Sequence, residues 1–215
     1  MKERPILFSG TMVRALLRDI NPKSQTRRIV KPQPTGKLLG LLKRPLRAES
    51  DPPVLRAWFK AGQGEQSSHE VTCPYGQPGD HLWVRETWAQ PTTLDPGPTF
   101  YRADYPACVP PGFENVPPAD TITWKPSIHM PRAASRITLE VTGVRVERLR
   151  DISEADALAE GVEALKGGGY RQYETGGGTY PAASSFRSLW RKINGEDSWD
   201  MDPWVWVVEF RRIEA

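Results

Sequence analysis

The stretch SRITLEVTGVRVERL, residues 135–149, shifts the phase of its apolar residues at a single glycine. Before that glycine, three apolar residues alternate with polar ones and share one face of an extended strand: Ile137, Leu139 and Val141. After Gly143 the apolar residues are Val144 and Val146, which are out of step with the first three. Such a change at a glycine is typical of a β-bulge or a sharp bend, so we expect this strand to curve its sheet.

Three further segments are predicted to be strands. Residues 5–8 (PILF) form a short apolar run, and residues 75–88 (YGQPGDHLWVRETW) contain a turn followed by a strand-like segment. The apolar residues of that segment are Leu82, Val84 and Trp88. The last segment, residues 203–213 (PWVWVVEFRRI), is apolar on both faces near its start, which is typical of a central strand.

Helices are predicted at three places, starting near the N-terminus. Thr11 can cap the first helix, which is predicted to run to about Asp19 because Pro22 disfavours helix at Asn21.

The second predicted helix covers residues 152–162, with Ser153 as its N-cap and Asp156 three residues later. Its inner stripe is predicted to be Ala155, Leu158, Ala159 and Val162. The third helix covers residues 184–195 and is predicted to end at Gly195. These helices are too few for a doubly wound sheet. The sequence therefore predicts an α+β fold, a small β-barrel with peripheral helices.

Long loop insertions are expected within a single domain over residues 1–215. Pro (21 residues) and Gly (18 residues) are abundant and cluster between the patterned blocks. The predicted insertions lie at about 35–70, with a short strand at Val54–Phe59, at 91–120 and at 163–183. The chain contains no apolar run of 18 residues and no signal-peptide pattern, so we expect a cytoplasmic protein without membrane contact.

Positive charge is concentrated near the N-terminus. Residues 1–34 carry eight Lys or Arg and two Asp or Glu, a net charge of +6, whereas the whole chain carries +3. The segment NPKSQTRR, residues 21–28, contributes three of these cations in the turn after the first predicted helix. The block either binds an anionic partner or forms a solvated face.

Possible metal ligands and aromatic residues indicate function less clearly than the basic segment does. The three histidines and two cysteines have no metal-ligand spacing, so we expect no metal site and no cofactor. Among the eight tryptophans, Trp83 points away from Leu82 and Val84 on its predicted strand and is the best candidate for stacking on a base. Trp204 and Trp206 share one face of the last strand, where at least one is expected in the core.

Four blocks in order give the chain a family resemblance. The blocks ILFSG…MVRALL…KSQTRR, PGDHLWVRETW, ITLEVTGVRVERLRDISEADALAEGV and WVWVVEF resemble the ASCH family, a branch of the PUA-like β-barrel superfamily. The resemblance covers roughly 100 residues and is greatest to the long ASCH proteins of phage and prophage genomes. It implies a cleft beside the barrel, lined by the turn after the first helix and suited to RNA or a modified nucleoside.

The resemblance also implies candidate catalytic residues. Some smaller bacterial members hydrolyse N4-acetylcytidine with a Lys, a Thr three residues later and a Glu on the later helix. Those positions match Lys23, Thr26 and Glu160, although the helical wheel turns Glu160 away from the predicted stripe unless the helix ends at Gly161. Neighbouring acidic residues also compete for the third role: Glu154, Asp156 and Glu163.

Three functions follow from this resemblance and the basic turn. The first is recognition of RNA or a modified nucleoside by Lys23, Ser24, Arg27, Arg28, Trp83 and Arg85. The second is removal of an N4-acyl group from cytidine, with Lys23 as a base of lowered pKa that activates Thr26 or a water. Glu160 would then orient the lysine or pass a proton to the leaving amine. The third is an interaction protein of a phage particle or a host-takeover complex, with the insertions as its contact surface and an unidentified protein partner.

Overall fold

A computed structural model describes residues 1–44, 54–60, 69–90, 97–113 and 115–213, except for the side chains of Arg44 and His69. The strands are β1 (Glu3–Leu7), β2 (Gln25–Ile29), β3 (Leu38–Arg44), β4 (Val54–Phe59), β5 (His69–Thr72), β6 (His81–Arg85), β7 (Trp88–Ala89), β8 (Phe100–Tyr101), β9 (Thr138–Arg148), β10 (Tyr170–Arg171), β11 (Gly178–Thr179) and β12 (Trp204–Ile213). The α-helices are α1 (Gly10–Leu16), α2 (Glu154–Ala159) and α3 (Ala182–Asn194). The predicted α+β class is confirmed.

The main sheet has five strands in the order β1-β6-β9-β12-β2. β1 pairs with β6 in parallel, and the other pairs are antiparallel. A second sheet has the order β3-β4-β5, and two short hairpins pair β7 with β8 and β10 with β11. Within the described part of the chain, the strands form these four separate sheets and do not close into one ring.

The phase change at Gly143 is a β-bulge, as predicted. Glu209 of β12 pairs with Gly143 of β9, but the next residue, Phe210, pairs with Val141. Thr142 is therefore the extra residue, and the bulge returns Val144 to the face that packs on the core. A Cβ atom at Gly143 would lie 2.4 Å from a Glu209 carboxylate oxygen, so a larger residue there would have to displace the end of the Glu209 side chain.

Apolar residues cover both faces of the main sheet. One core lies between this sheet and the β3-β4-β5 sheet and contains Ile6, Phe59, Leu139 and Trp206. The other lies between the sheet and helices α2 and α3 and contains Val205, Val207 and Phe186. Alternate residues of β12 pack into the two cores, and β12 has a paired strand on each side. This confirms its predicted central position.

The helix predictions hold in part. α1 begins after Ser9, whose side chain accepts a hydrogen bond from the Met12 N–H, so the predicted cap at Thr11 is wrong by two residues. The predicted end of α3 at Gly195 is confirmed.

The capping box of α2 is confirmed, with Ser153 and Asp156 bonded reciprocally. The buried stripe predicted for α2 is wrong in part: Val162 is buried as predicted, but Ala155 and Leu158 are exposed and Ala157 is buried instead. A helix of six residues is too short for its apolar period to fix the buried face.

The segments predicted to be loop insertions contain strands. The strand expected at Val54–Phe59 is confirmed, but 35–70 also contains β3 and the start of β5. The stretch 163–183 contains the β10–β11 hairpin, whereas the described residues of 91–120 form turns and irregular backbone with β8. Residues 45–53, 61–68, 91–96 and 114 lie outside the described residues, and so does most of the polar run GQGEQSSHE. No described helix has the length and apolar character needed to cross a bilayer.

Candidate functional site

Lys23 lies in the core at the junction of α1, α2 and β2. Its backbone N–H donates to the Ala15 carbonyl oxygen, which ties the segment before β2 to helix α1. Its side chain is 1% exposed, and Nζ donates to Glu160 Oε2 and to the Glu160 carbonyl oxygen, both at 2.7 Å. These two bonds use two of the three ammonium protons. The sequence-predicted pair of Lys23 and Glu160 is therefore brought together by the fold.

Glu160 reaches Lys23 because α2 ends one residue earlier. Glu160 is the C-cap, and Gly161 follows with a positive φ of 81°. The chain turns at this glycine, which removes Glu160 from the helical wheel and buries its side chain to 2% exposure. The other carboxylates considered for this role lie elsewhere: Asp156 bonds to Ser153, Glu154 to α3 and Glu163 to Arg171.

Arg27 also contacts Glu160, and its side chain is 0% exposed. Its guanidinium lies 3.3 Å from Glu160 Oε1 and 3.3 Å from Asp156 Oδ2, and it also binds Glu147. Arg145 joins the same network through Glu147 and Asp156. Arg27 was predicted to bind nucleic acid. The structure places it among three carboxylates, whose charge it offsets together with Lys23 and Arg145, and it orients Glu160.

Ser24 and Thr26 lie between the buried cations Lys23 and Arg27 in the chain. Thr26 is fully buried on β2, and its hydroxyl has no hydrogen-bond partner among the described residues. Ser24 is exposed and holds its neighbours through its backbone, since its N–H donates to Ala159 and its carbonyl accepts from Phe210. These bonds join the end of α2 to the central strand and fix the position of the preceding Lys23.

A cavity of about 460 Å³ opens next to Glu160 at the edge of the main sheet. Its walls come from α1, β2, the chain after β5, α3 and β12: Met12, Arg27, Arg28, Ile29, Lys31, Thr72, Pro74, Tyr75, Glu160, Phe186, Leu189, Trp190, Ile193, Asn194 and Trp206. The volume lies in the range of small-molecule sites, about 300–1,000 Å³. We call this space the Glu160 cavity.

Arg28 lines the Glu160 cavity beside two other cations, Arg27 and Lys31. It alternates with Arg27 on β2 and therefore points to the opposite face of the strand. One guanidinium nitrogen donates to the Leu7 carbonyl oxygen at 2.6 Å, and the guanidinium lies 5.3 Å from the Phe8 ring centre. No carboxylate forms an ion pair with Arg28 in the described part of the chain. Burial lowers the pKa of Arg28, with opposing effects from Tyr75 and Glu160.

Three buried donors at the Glu160 cavity are without an acceptor among the described residues: Arg27 Nε, Arg28 Nε and Trp190 Nε1. Buried N–H groups are almost always paired, so a bound molecule or water can supply acceptors to these atoms. Trp190 of α3 and Trp206 of β12 both line the cavity, although they pack into the cores on opposite faces of the main sheet, and their indole rings provide flat apolar surface.

Trp83 and Arg85 lie in a different place from the other predicted site residues. Both are on β6, and β9 and β12 separate this strand from β2. The Arg85 guanidinium lies 5.4 Å from the Trp83 ring centre and donates to the Ile128 carbonyl oxygen. Neither residue is among the described residues around the Glu160 cavity. The fold therefore does not bring Trp83, the predicted stacking residue, to the cavity that Arg28 lines.

Sequence reasoning missed most of the cavity wall. The α3 residues Phe186, Leu189, Trp190 and Ile193 have i, i+3, i+4 and i+7 spacing, a pattern that indicates an inward face but not a ligand. Tyr75 precedes a turn and carries no local signal of its role.

Burial sets the chemistry of Lys23. It lowers the pKa of the ammonium, Glu160 opposes that effect, and Arg28 and Arg27 lower the pKa further. A lysine with a lowered pKa exchanges protons more readily near neutral pH, and its carboxylate partner keeps it in place. The Glu160 cavity can bind an acceptor-rich planar molecule, and Lys23 is connected to the cavity through Glu160, which lines it.

Comparisons of the chain with family models, with curated proteins and with solved structures found no match.

Proposed function

We propose that this chain is a PUA-like domain of ASCH type that recognises RNA or a modified nucleoside in the Glu160 cavity. One observation carries the proposal. Arg28 has no carboxylate partner among the described residues and faces a cavity of about 460 Å³ with two indole rings and a buried carboxylate. A base can stack on the rings and accept hydrogen bonds from Arg28 Nε and Trp190 Nε1.

The sheet arrangement supports the PUA-like part of the proposal. Two sheets enclose one apolar core, and the bulge at Gly143 bends the longest strand across it. Tyr75 and Thr72 bring the end of the second sheet to the cavity, so the ligand would lie where the two sheets approach each other. Binding sites at such junctions are common in small β domains.

Tryptophan fluorescence offers a direct test of binding, because Trp190 and Trp206 line the cavity. Cytidine, N4-acetylcytidine, other modified nucleosides and short single-stranded RNAs are titrated at low salt. We expect saturable quenching by at least one of them and roughly tenfold weaker binding by Arg28→Ala. Arg150→Ala is the matched control, since Arg150 is exposed and lies outside the cavity wall. Absence of saturable binding across the panel contradicts the proposal.

Hydrolysis of an N4-acyl cytidine is a second candidate function. The observation that favours it is the pair of Lys23 and Glu160 at 2.7 Å, with a buried Thr26 hydroxyl two residues before Arg28 that lacks a partner among the described residues. In this reaction the Thr26 oxygen, or a water, attacks the acyl carbonyl carbon and its proton passes to neutral Lys23. The C–N bond then breaks, and Lys23 or protonated Glu160 returns the proton to N4 of the cytosine. With Thr26 as nucleophile, a water subsequently releases the acyl group as a carboxylic acid.

Chromatography of N4-acetylcytidine incubations measures this activity through the release of cytidine. Thr26→Val keeps the side-chain volume and removes the hydroxyl, so a loss of a hundredfold or more indicates a nucleophile. Thr26→Ser should retain activity. Because Lys23 must be neutral to accept the proton, the rate should rise with pH up to the lowered lysine pKa. No cytidine above the buffer rate removes this candidate and leaves recognition alone.

A further inference from the structure

A second cavity, of about 320 Å³, lies between α1 and the segments that follow β6 and β8. Its walls are polar and cationic: Gly10, Thr11, Arg14, Thr87, Arg102 and Ala103. Two guanidinium groups and two threonine hydroxyls therefore converge on one concave space. We call it the Arg102 cavity.

The two arginines of the Arg102 cavity carry uncompensated charge. Arg14 donates to the Ala103 carbonyl oxygen at 2.9 Å and to Thr11 Oγ1 at 3.5 Å, which fixes its position with neutral acceptors. Arg102 is exposed, and its side chain has neither a hydrogen bond nor an ion pair with any described residue. Two cations held near each other without an anion repel, so this arrangement favours an anionic ligand.

The nearest acidic residues are already engaged. Asp104 follows Ala103 in the chain, but both its oxygens bind Arg136 at 2.8 Å. Arg136 also binds both oxygens of the buried Glu86, which precedes Thr87. Arg136 thus holds both carboxylates that flank the cavity wall in sequence and offsets one of their two charges, so that neither carboxylate pairs with Arg14 or Arg102. The five side chains, three cations and two carboxylates, keep a net charge of +1 for a ligand.

Helix α1 contributes to the walls of both cavities. Thr11 lines the Arg102 cavity and its neighbour Met12 lines the Glu160 cavity. A strand of nucleic acid that follows α1 from the Glu160 cavity to the Arg102 cavity would bring a backbone phosphate to Arg14 and Arg102. Arginine is well suited to that contact, because its planar donors bind two phosphate oxygens at once.

We propose that the Arg102 cavity is a phosphate site, and that it binds the phosphate next to the base held in the Glu160 cavity. The link to a bound base rests on the function proposed above, whereas the phosphate site itself depends only on the residues of the Arg102 cavity. The preferred ligand is then a nucleotide within RNA, and a free nucleoside binds more weakly because it lacks the phosphate.

Inorganic phosphate tests the site without any nucleoside. In protein labelled with ¹⁵N, the guanidinium Nε–H signals of Arg14 and Arg102 should shift saturably as phosphate is added at low salt. Arg102→Ala should weaken the shift at Arg14, whereas Arg150→Ala should leave it unchanged. Because the Arg102 side chain contacts no described residue through a polar bond, its removal should leave the fold intact. Unsaturable shifts, or equal shifts in the parent and in Arg102→Ala, overturn the proposal.

A comparison of RNA with free nucleoside tests the link between the two cavities. Arg102→Ala should weaken binding of a short single-stranded RNA by roughly threefold to tenfold and lower the salt slope by about 0.7, as one lost contact requires. Its affinity for the free nucleoside should equal that of the parent. Equal RNA affinities in variant and parent overturn the link. If phosphate binds at Arg102 but no nucleoside or RNA binds the parent, the proposed function fails while the phosphate site stands.

Discussion

A Cβ atom on Gly161 would lie 2.9 Å from Cβ of Lys23 and 2.8 Å from Cβ of Ala15. Gly161 also has a φ of 81°, a conformation that other residues adopt at a cost. These two facts explain how α2 ends close enough to α1 for Glu160 to bind Lys23. The glycine is thus a structural requirement of the buried ion pair.

Gly161→Ala should destabilise the protein by about 1–3 kcal/mol, because the new methyl group overlaps Lys23 and Ala15 and the positive φ becomes strained. Urea unfolding measures the change. Gly167→Ala is the control, since a Cβ there meets no atom within 4 Å and Gly167 does not have a positive φ. Equal stability of the two variants would show that the backbone near Gly161 relaxes freely.

Arg27 and Arg28 should respond to mutation in opposite ways. Arg27→Ala leaves the buried Glu160 carboxylate with one cation fewer, so we expect a loss of stability of about 3 kcal/mol or more. Arg28→Ala should alter stability less and reduce ligand binding, because Arg28 has no ion pair with a described residue. Urea unfolding and the fluorescence titration separate the two effects. A larger loss of stability in Arg28→Ala than in Arg27→Ala contradicts this assignment.

The pair of Lys23 and Glu160 should behave as one unit in a double-mutant cycle. Lys23→Met leaves Glu160 with Arg27 alone, and Glu160→Gln leaves two buried cations without their shared carboxylate. Each single variant should therefore lose several kcal/mol of unfolding free energy. The double variant should be more stable than the sum of the two losses predicts. Additive losses within about 0.5 kcal/mol would show that the two side chains do not interact energetically.

Acid should remove the stabilisation that Asp156 provides. Although burial acts to raise the pKa of Asp156, the Ser153 hydrogen bond and the charges of Arg27 and Arg145 lower it to about 2. Because the pKa is lower in the folded protein, the ionised carboxylate stabilises the fold at pH values above its pKa in the unfolded chain, about 3.9. This stabilisation is lost as the pH falls toward 2. Asp156→Asn should thus be less stable than the parent at pH 7, and the difference should shrink below pH 4. Unfolding followed by circular dichroism from pH 7 to pH 2 measures both curves, and a constant difference would contradict the assignment.

Trp83 should be dispensable for ligand binding. It lies on β6, and β9 and β12 stand between that strand and β2. Trp83→Ala should therefore retain the nucleoside affinity of the parent, whereas Trp190→Phe should weaken it by removing the unpaired indole N–H. Fluorescence remains usable in both variants because Trp206 is still present. Weaker binding in Trp83→Ala than in Trp190→Phe would return the stacking role to Trp83.

The sequence by itself determined the features that depend on neighbouring residues. The capping box of Ser153 and Asp156, the end of α3 at Gly195 and the bulge at Gly143 are set by local hydrogen bonds and backbone freedom. The alternation of side chains along β6 likewise predicted that Trp83 would lie on the face opposite Leu82 and Val84. Each of these signals lies within a few residues of the feature that it predicts.

Only the tertiary structure decided which charges are buried and which face the Glu160 cavity. The basic block near the N-terminus is divided by the fold, since Lys23 and Arg27 are enclosed by carboxylates more than 100 residues away in the chain. Arg28, the next residue, points to the opposite face of β2. No local pattern encodes that division, because it depends on the sheet that β2 joins and on the position in which α2 and α3 pack against it.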